Sequence, residues 1–236
     1  MKTEKIVYEG TEIESISCDG GGAVLTARVG TIASERVILA TNGFEKFRLC
    51  DKDGKGIDRR FHKNVSSRLA YMLGLFIPGK APEPASVAYV HEPDAHDPGI
   101  SYTYVTERPY SMDGTEGTLI AIGGPDSDFN HERMDYSNTM SFSHGVETEL
   151  ERELLIRYGG SVEEGVRFLW HGIMGYTETY ARLVGTDPHG PALGYNLGCN
   201  GVGILLSIWG GNRIAEGFLG RALVPTMFDP VAHFGR

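Results

Sequence analysis

A strand, a glycine-rich turn and a long apolar helix near the C-terminal end constrain the fold of this chain most. Apolar residues at 192–197 predict a strand, and the run from about Val202 to Leu219 predicts a helix. The segment GCNG (198–201) separates them. Because glycine adopts backbone conformations that other residues avoid, this segment predicts a tight strand-to-helix turn.

The N-terminal part of the chain adds short strands to this unit. Alternating residues at 5–8, 12–17 and 23–29, with glycines at 20–22, predict a hairpin or meander. The segment ERVILAT (35–41) differs, because its apolar residues are continuous. Such a run is typical of a strand that is covered on both faces, as in a parallel sheet.

The middle of the chain predicts an antiparallel sheet. Segments 86–91, 100–107 and 118–123 are rich in Tyr, Val, Ile and Thr and are separated by Pro and Gly. The charged segment 46–63 predicts a crossing between domains, with an exposed loop at 51–54. Leucines at helical spacing predict a surface helix at 146–158. A short apolar run predicts a further strand at 168–171.

Composition excludes several functional classes. The chain has 236 residues, a formal net charge of -9 and no run of Lys or Arg, so neither nucleic acid nor an anionic membrane surface is an expected partner. The apolar stretch 202–209 is too short to span a bilayer, and the first residues show no apolar signal core. Three widely spaced cysteines predict no disulfide framework, which favours a soluble protein of the reducing cytoplasm.

One histidine-containing segment resembles a metal site. HEPDAHDP contains two histidines and two aspartates, at positions 91, 94, 96 and 97. Its two prolines favour an irregular, solvated loop, in which the spacing does not place the ligands on one face. The sequence therefore predicts no metal site.

Two parts of the chain resemble a known family. LWHGIMGYTETYARLVG (169–185) followed by YNLGCNGVGILLSIWGGNRIAEGFLG (195–220) resembles the final segment of the D-amino-acid oxidase, glycine oxidase and sarcosine oxidase family. ERVILATNGF (35–44) is similar to the family's strand that re-enters the FAD domain. The resemblance implies an α/β (α+β) fold. It implies a partial FAD-binding domain formed by residues 1–45 and 184–236, and an antiparallel-sheet substrate domain formed by residues 46–183.

The resemblance also implies a non-covalent FAD cofactor. Small residues in the turn would let backbone N–H groups approach a planar ligand, and a helix that starts there presents its positive end to the ligand. The alternative is that the glycines only make a tight turn and allow close helix packing. The residues predicted to bind the cofactor are Trp170, Gly172, Asn200, Gly201, Val202, Gly203 and Ile204.

In such a family, the implied substrate is an amine or amino acid that is oxidised at its C–N bond. Arg108 or Arg182 is a candidate clamp for a substrate carboxylate. The alternative to substrate binding is that the tyrosines only pack against neighbouring strands and that the arginines are only solvated. No residue is predicted as a catalytic acid or base. The predicted substrate-binding residues are Tyr102, Tyr104, Arg108, Tyr176 and Arg182.

The sequence contains no strand-GxGxxG-helix unit, which would hold the ADP half of FAD. We therefore expect the isolated chain to retain FAD weakly and to show little oxidase activity. Alternatives are a truncated, non-catalytic remnant, a subunit of a split flavoenzyme, or a ligand-binding module without redox chemistry. We also expect the apolar strand at 37–40 to be covered by a partner chain or by self-association.

Overall fold

The computed structural model describes residues 6–44, 46–57, 64–81, 83, 85–90, 102–130, 135–162 and 165–234. The chain forms two compact units. Unit 1 consists of Met1–Ser67 and Met174–Arg236, and unit 2 consists of Arg68–Ile173. Each unit has its own buried core.

Strands dominate the described residues, and helices are few. The strands are β1 (Ile13–Cys18), β2 (Ala23–Ala27), β3 (Gly30–Ser34), β4 (Val37–Leu39), β5 (Arg48–Asp51), β6 (Ser66–Pro78), β7 (Ala85–Val90), β8 (Tyr102–Met112), β9 (Thr115–Phe129), β10 (Val166–Tyr176), β11 (Leu183–Asp187) and β12 (Gly190–Leu197). The helices are α1 (His144–Tyr158), α2 (Ile204–Phe218) and α3 (Pro230–Phe234), and a 3-10 turn follows α1 at Gly159–Val162.

The first sheet of unit 1 has the order β3-β2-β1-β5. The predicted hairpin is confirmed: β1 and β2 are antiparallel. Asp19 closes their turn, because its Oδ1 accepts hydrogen bonds from the backbone N–H groups of Gly21 and Gly22, both at 2.7 Å. β5 pairs with β1 in parallel. The sequence did not predict β5, in which Leu49 is buried, whereas the exposed loop predicted at 51–54 is present as an exposed turn at 52–54.

The second sheet of unit 1 has the order β11-β12-β4. β4 is parallel to β12, as the apolar run predicted, but among the described strands it has a neighbour on one side only. Val37 and Leu39 are buried, whereas Ile38 is 44% exposed. The prediction that both faces are covered is therefore wrong for the described part of the chain. Only alternate side chains reach the core.

The core of unit 1 joins both sheets. Tyr195 is buried at its centre, and its hydroxyl donates a hydrogen bond to Asp187 Oδ2 at 2.6 Å, which satisfies a buried carboxylate. Helix α2 adds Ile214 to the buried residues, and its Gly210 lies against Asn196 of β12. The core comprises Ile16, Cys18, Ala23, Val37, Leu39, Phe47, Leu49, Val65, Leu183, Leu193, Tyr195 and Leu197.

The sheet of unit 2 has the order β10-β6-β9-β8-β7. Its predicted antiparallel pairing is confirmed for β7 with β8 and β8 with β9. The predicted helix is also confirmed: α1 packs its Leu150 and Leu154 on one face of the sheet. The sheet residues that contact them from this face are Leu73, Leu75, Ile77, Val105, Ile120 and Ile122.

Some predictions differ from the structure or lie outside it. Residues 6–8 are exposed and irregular, so the predicted strand at 5–8 is wrong there. Strands β6 and β11 were not predicted. The histidine-containing segment at 91–97 lies outside the described residues. Within the described part, no helix is long and apolar enough to cross a membrane.

Candidate functional site

A cleft of about 480 Å³ opens in unit 1 beside the start of helix α2, and we call it the α2 cleft. It brings together the two sequence segments 35–44 and 195–220. Its wall is mainly apolar on one side and polar around Arg182. The lining residues are Ala40, Asn42, Arg182, Asn196, Cys199, Gly203, Ile204, Ser207 and Ile208.

Asn42 fixes the end of β4 at the cleft. Its backbone is left-handed, with φ 56°, a conformation that Asn tolerates better than most residues. Its Oδ1 accepts a hydrogen bond from the backbone N–H of Gly175 at 2.8 Å. Neighbouring Thr41 has a buried hydroxyl without a hydrogen-bond partner in the described part of the chain. The sequence reasoning missed Asn42, although a polar residue directly after an apolar strand was a usable signal.

Asn200 fixes the turn before α2. Its backbone is also left-handed, with φ 48°. Its Oδ1 accepts a hydrogen bond from Thr177 N at 2.8 Å, and its Nδ2 donates to the carbonyls of Tyr180 and Gly198 at 3.1 and 3.0 Å. The side chain of this predicted cofactor residue is therefore used to hold the turn against the segment 177–180.

The glycines of the turn have separate structural roles. Gly198 and Gly201 are left-handed, with φ 72° and 76°. A Cβ at Gly198 would lie 2.6 Å from Thr177 Cγ2, so close packing also requires glycine there. Gly203 has an ordinary φ of -81° and lines the cleft just before α2. The first N–H groups of α2 lack helical partners, which places partial positive charge at this end of the cleft.

Arg182 is buried beneath the first turn of α2. Its side chain donates to Ser207 Oγ at 2.6 Å, to Asn196 Oδ1 at 3.1 Å and to the Gly203 carbonyl at 3.5 Å. Burial lowers the pKa of its guanidinium from the ordinary value. In the sequence this residue was a candidate clamp for a substrate carboxylate. The structure places it inside the wall of the α2 cleft, with donors directed to neutral internal acceptors.

Predicted residues Val202 and Ile204 are exposed apolar side chains at the start of α2. Ile204 lines the cleft together with Ile208, one turn later. Tyr176 lies at the end of β10, and its ring packs edge-on to Tyr180 with 6.4 Å between centroids. Its backbone carbonyl accepts a hydrogen bond from Ser66 Oγ at 3.3 Å. Tyr176 is thus next to the segment that Asn200 holds.

The remaining predicted residues lie on one face of the sheet in unit 2. Tyr102, Tyr104 and Arg108 alternate along β8 with Thr103 and Val105, and Val105 faces α1. Because successive side chains of a strand point to opposite faces, the three residues lie on the face away from α1. The ring of Trp170 lies on this same face, over Gly74.

Two glycines lie on this face of unit 2, one covered by side chains and one open. Gly123 is opposite Tyr104 in the register, and the Tyr104 hydroxyl donates to Met72 Sδ at 2.9 Å above it. An added Cβ at predicted Gly172 would meet nothing within 4 Å. The rings of Tyr102 and Tyr104 are 6.1 Å apart. Burial, followed by the charges of Tyr102 and Asp126, raises the pKa of Tyr104.

Comparison with known proteins identifies the family. Residues 6–217 match the family described as FAD dependent oxidoreductase (DAO). The chain belongs to this family. No curated protein sequence matches the chain at a significant level. The DAO family uses FAD, so the cofactor implied by the sequence is confirmed at the level of the family.

Three solved structures that resemble this DAO-family chain are distant from it in sequence. Glycine oxidase from Geobacillus kaustophilus is 21% identical, with a TM-score of 0.67 over 97% of this chain and 54% of that chain. L-proline dehydrogenase from P. horikoshii is 14% identical, with a TM-score of 0.57 over 93% and 53%. Fructosamine oxidase from Aspergillus fumigatus is 15% identical, with a TM-score of 0.57 over 93% and 50%. These likenesses confirm the predicted α/β (α+β) fold, and the chain spans about half the length of these structures.

The α2 cleft has the chemistry that an isoalloxazine ring requires. Ala40, Ile204 and Ile208 provide an apolar wall for a planar ring, and the helix start and Arg182 provide positive charge at one end. The residues present therefore fit the ring portion of FAD.

Proposed function

We propose that this chain supplies the flavin-ring side and the substrate side of an FAD-dependent oxidoreductase that acts on the C–N bond of an amine or amino acid. The observation that carries the proposal is the α2 cleft, in which both segments of the family resemblance line one cavity of unit 1. The structures that resemble the chain include an oxidase of glycine and a dehydrogenase of L-proline, which supports this substrate class.

FAD supplies the redox chemistry when it is bound, by accepting hydride from the C–H next to the amine. The work of the protein is then positioning and charge complementarity. In unit 1, the backbone at Asn200, Gly201 and Gly203 would hold the ring, and Asn42 and Asn200 would keep the walls of the cleft in place. No proton-transfer role is assigned to these residues.

In unit 2, the face with Tyr102, Tyr104 and Arg108 is our proposed substrate surface. It also carries Trp170 and Gly172, which the sequence analysis assigned to the cofactor and which we now propose on the substrate side. The glycine provides room, and the exposed aromatic rings provide apolar walls for an amine or amino acid. Arg108 is exposed on this face and makes no ion pair among the described residues, so it suits a substrate carboxylate. Tyr176 is retained as a candidate on the evidence of its sequence context alone.

Isothermal titration with FAD tests the cofactor assignment. We expect binding to the isolated chain to be weak, because the sequence has no GxGxxG unit and the phosphates lack their charge-assisted contacts, each worth about 1.5–3 kcal/mol. A submicromolar dissociation constant would show a nucleotide site that the sequence does not reveal. No binding even at millimolar FAD would contradict the assignment of the α2 cleft. Anaerobic bleaching of bound flavin by glycine, L-proline and simple amines then tests the substrate class.

A second candidate function is that of a non-catalytic remnant or of one subunit in a split flavoenzyme. The observation that favours it is that β4, with exposed Ile38, has a neighbour on one side only among the described strands, and that Ile204, Leu205 and Ile208 of α2 are exposed. An open strand edge next to apolar surface favours association. Light scattering tests this candidate, because a monodisperse monomer at high concentration contradicts self-association.

Free thiols at all three cysteines support our proposal that the protein resides in the cytoplasm.

A further inference from the structure

Unit 1 contains a buried cation that no anion balances among the described residues. Arg182 is 4% exposed, and its hydrogen bonds go to an amide oxygen, a hydroxyl and a backbone carbonyl. Neutral acceptors satisfy the N–H groups but leave the net charge in place. A buried charge of this kind is costly unless an opposite charge approaches it.

A second arginine of the same unit, Arg213, has the carboxylate partner that Arg182 lacks among the described residues. The side chain of Arg213 is 10% exposed, but its guanidinium pairs with Asp229 Oδ1 at 2.6 Å. No such carboxylate pairs with Arg182 in the part of the chain that the structure describes. The difference between the two arginines is therefore the missing counter-charge and not the degree of burial.

The unbalanced charge faces a cavity. Arg182 lines the α2 cleft next to Gly203, where the N–H groups at the start of α2 add partial positive charge. The apolar residues that line the same cleft include Ala40, Ile204 and Ile208. Two positive contributions thus converge at the start of α2, next to the apolar side chains that line the rest of the cleft.

We infer that Arg182 is a buried counter-cation for a redox ligand that becomes negatively charged, so that the α2 cleft prefers the anionic reduced form of flavin to the neutral oxidised form. The inference rests on the proposed function and adds a residue to it. Hydride transfer gives the flavin two electrons and one proton at N5 and leaves the amine carbon as an iminium. The negative charge that the ring gains is spread over N1 and the C2 carbonyl, and Arg182 would stabilise it.

The test is the ratio of two affinities of the full chain. The dissociation constant of FAD is measured by equilibrium dialysis, once oxidised and once after anaerobic reduction with dithionite, at mildly alkaline pH. Wild type should bind the reduced form more tightly. Arg182→Gln keeps hydrogen-bond donors but removes the charge, so the ratio of the oxidised to the reduced dissociation constant should fall about 20-fold. That is the effect of a unit charge at about 9 Å with an effective dielectric constant of about 20.

Two further variants separate charge from structure. Arg182→Lys keeps the charge and should retain most of the preference, even if both affinities fall because the planar fork is lost. Arg36→Gln removes a cation of the same unit that does not line the α2 cleft, and it should leave the ratio unchanged. A purely structural role for Arg182 would change both affinities equally and would not move the ratio.

Each outcome decides between the two proposals. A wild-type ratio near one, or an unchanged ratio in Arg182→Gln, overturns the inference and leaves flavin binding intact. A wild-type ratio near one needs no variant, so this result is informative even if Arg182→Gln fails to fold. If the wild-type chain binds neither form, the proposed function fails and the inference falls with it.

Discussion

Asn200 and Thr177 are joined by a hydrogen bond from the Thr177 backbone N–H to the Asn200 side-chain oxygen, 2.8 Å long. Through this bond the turn before α2 is tied to the segment that leaves β10. The Thr177 hydroxyl continues the connection by donating to the Ala181 carbonyl at 2.6 Å. The shape of the α2 cleft therefore depends on a side chain that need not touch any ligand.

Replacing Asn200 by Ala should lower the free energy of unfolding by about 2–4 kcal/mol. The variant leaves the Thr177 N–H and the carbonyls of Tyr180 and Gly198 without their partner, and Ala is strained at φ 48°. Urea denaturation monitored by circular dichroism measures the change. Asn200→Gly removes the same hydrogen bonds without the strain, so it should lie between wild type and Asn200→Ala. Equal stability of all three proteins would contradict this account of the turn.

Gly203→Ala and Gly201→Ala should separate ligand approach from backbone conformation. Gly203 has an ordinary φ and lines the α2 cleft, so Ala should leave stability nearly unchanged while weakening FAD binding several-fold. Gly201 has φ 76°, so Ala should cost about 1–2 kcal/mol of stability. Thermal unfolding and titration with FAD are measured for both variants. The reverse pattern, with Gly203→Ala unstable, would make the glycine structural.

Gly123→Ala and Gly172→Ala form a matched pair in the sheet of unit 2. A Cβ at Gly123 would lie 2.7 Å from the Tyr104 hydroxyl, so we expect overpacking and a loss of about 1–3 kcal/mol. A Cβ at Gly172 meets open space, so stability should be unchanged or rise by about 0.5–1 kcal/mol. Chemical denaturation compares the two. If Gly172→Ala is the more damaging, that side of the sheet is covered in the folded protein.

Stability should fall as the pH rises from about 9 to 11, with Cys18 as one cause. Burial, helped by the charges of Asp187 and Asp19, raises the pKa of the Cys18 thiol from 9.0 to about 11. In this window the unfolded chain loses a proton that the folded chain retains, so a higher pH favours unfolding. Urea denaturation at both ends of the window measures the fall. Cys18→Ala and Cys18→Ser should each show a smaller fall, and a fall identical to wild type would exclude Cys18 as its source.

The sequence predicted elements whose signals are local. The strand, turn and helix around Gly198–Gly201, the helix α1 and the three antiparallel strands were all visible as periodicity and turn residues. The family was visible in the segments 35–44, 169–185 and 195–220, and the match over residues 6–217 confirms it. Such features require no knowledge of distant partners, which is why one sequence is sufficient.

Features that depend on distant partners were missed. In β6, buried positions alternate with partly exposed ones up to Leu73 and are continuous from there to Ile77. Because apolar Ala70 and Met72 occupy partly exposed positions, the sequence lacks a clean apolar–polar alternation. Arg182 was expected to bind substrate, because the guanidinium of arginine can clamp a carboxylate. Its acceptors Asn196 and Ser207 come from β12 and α2, and only the folded chain brings them under one helix turn.

The parallel pairing of β4 with β12 has a consequence for synthesis on the ribosome. Leu193 is the partner of Val37, so unit 1 cannot close until nearly the whole chain has been translated. Unit 2 is continuous in sequence, from Arg68 to Ile173, and can form as soon as that stretch leaves the exit tunnel. Long-range pairing is slow because the intervening loop must be closed first. During that delay the N-terminal strands can already form their local antiparallel pairs, β1 with β2 and β2 with β3.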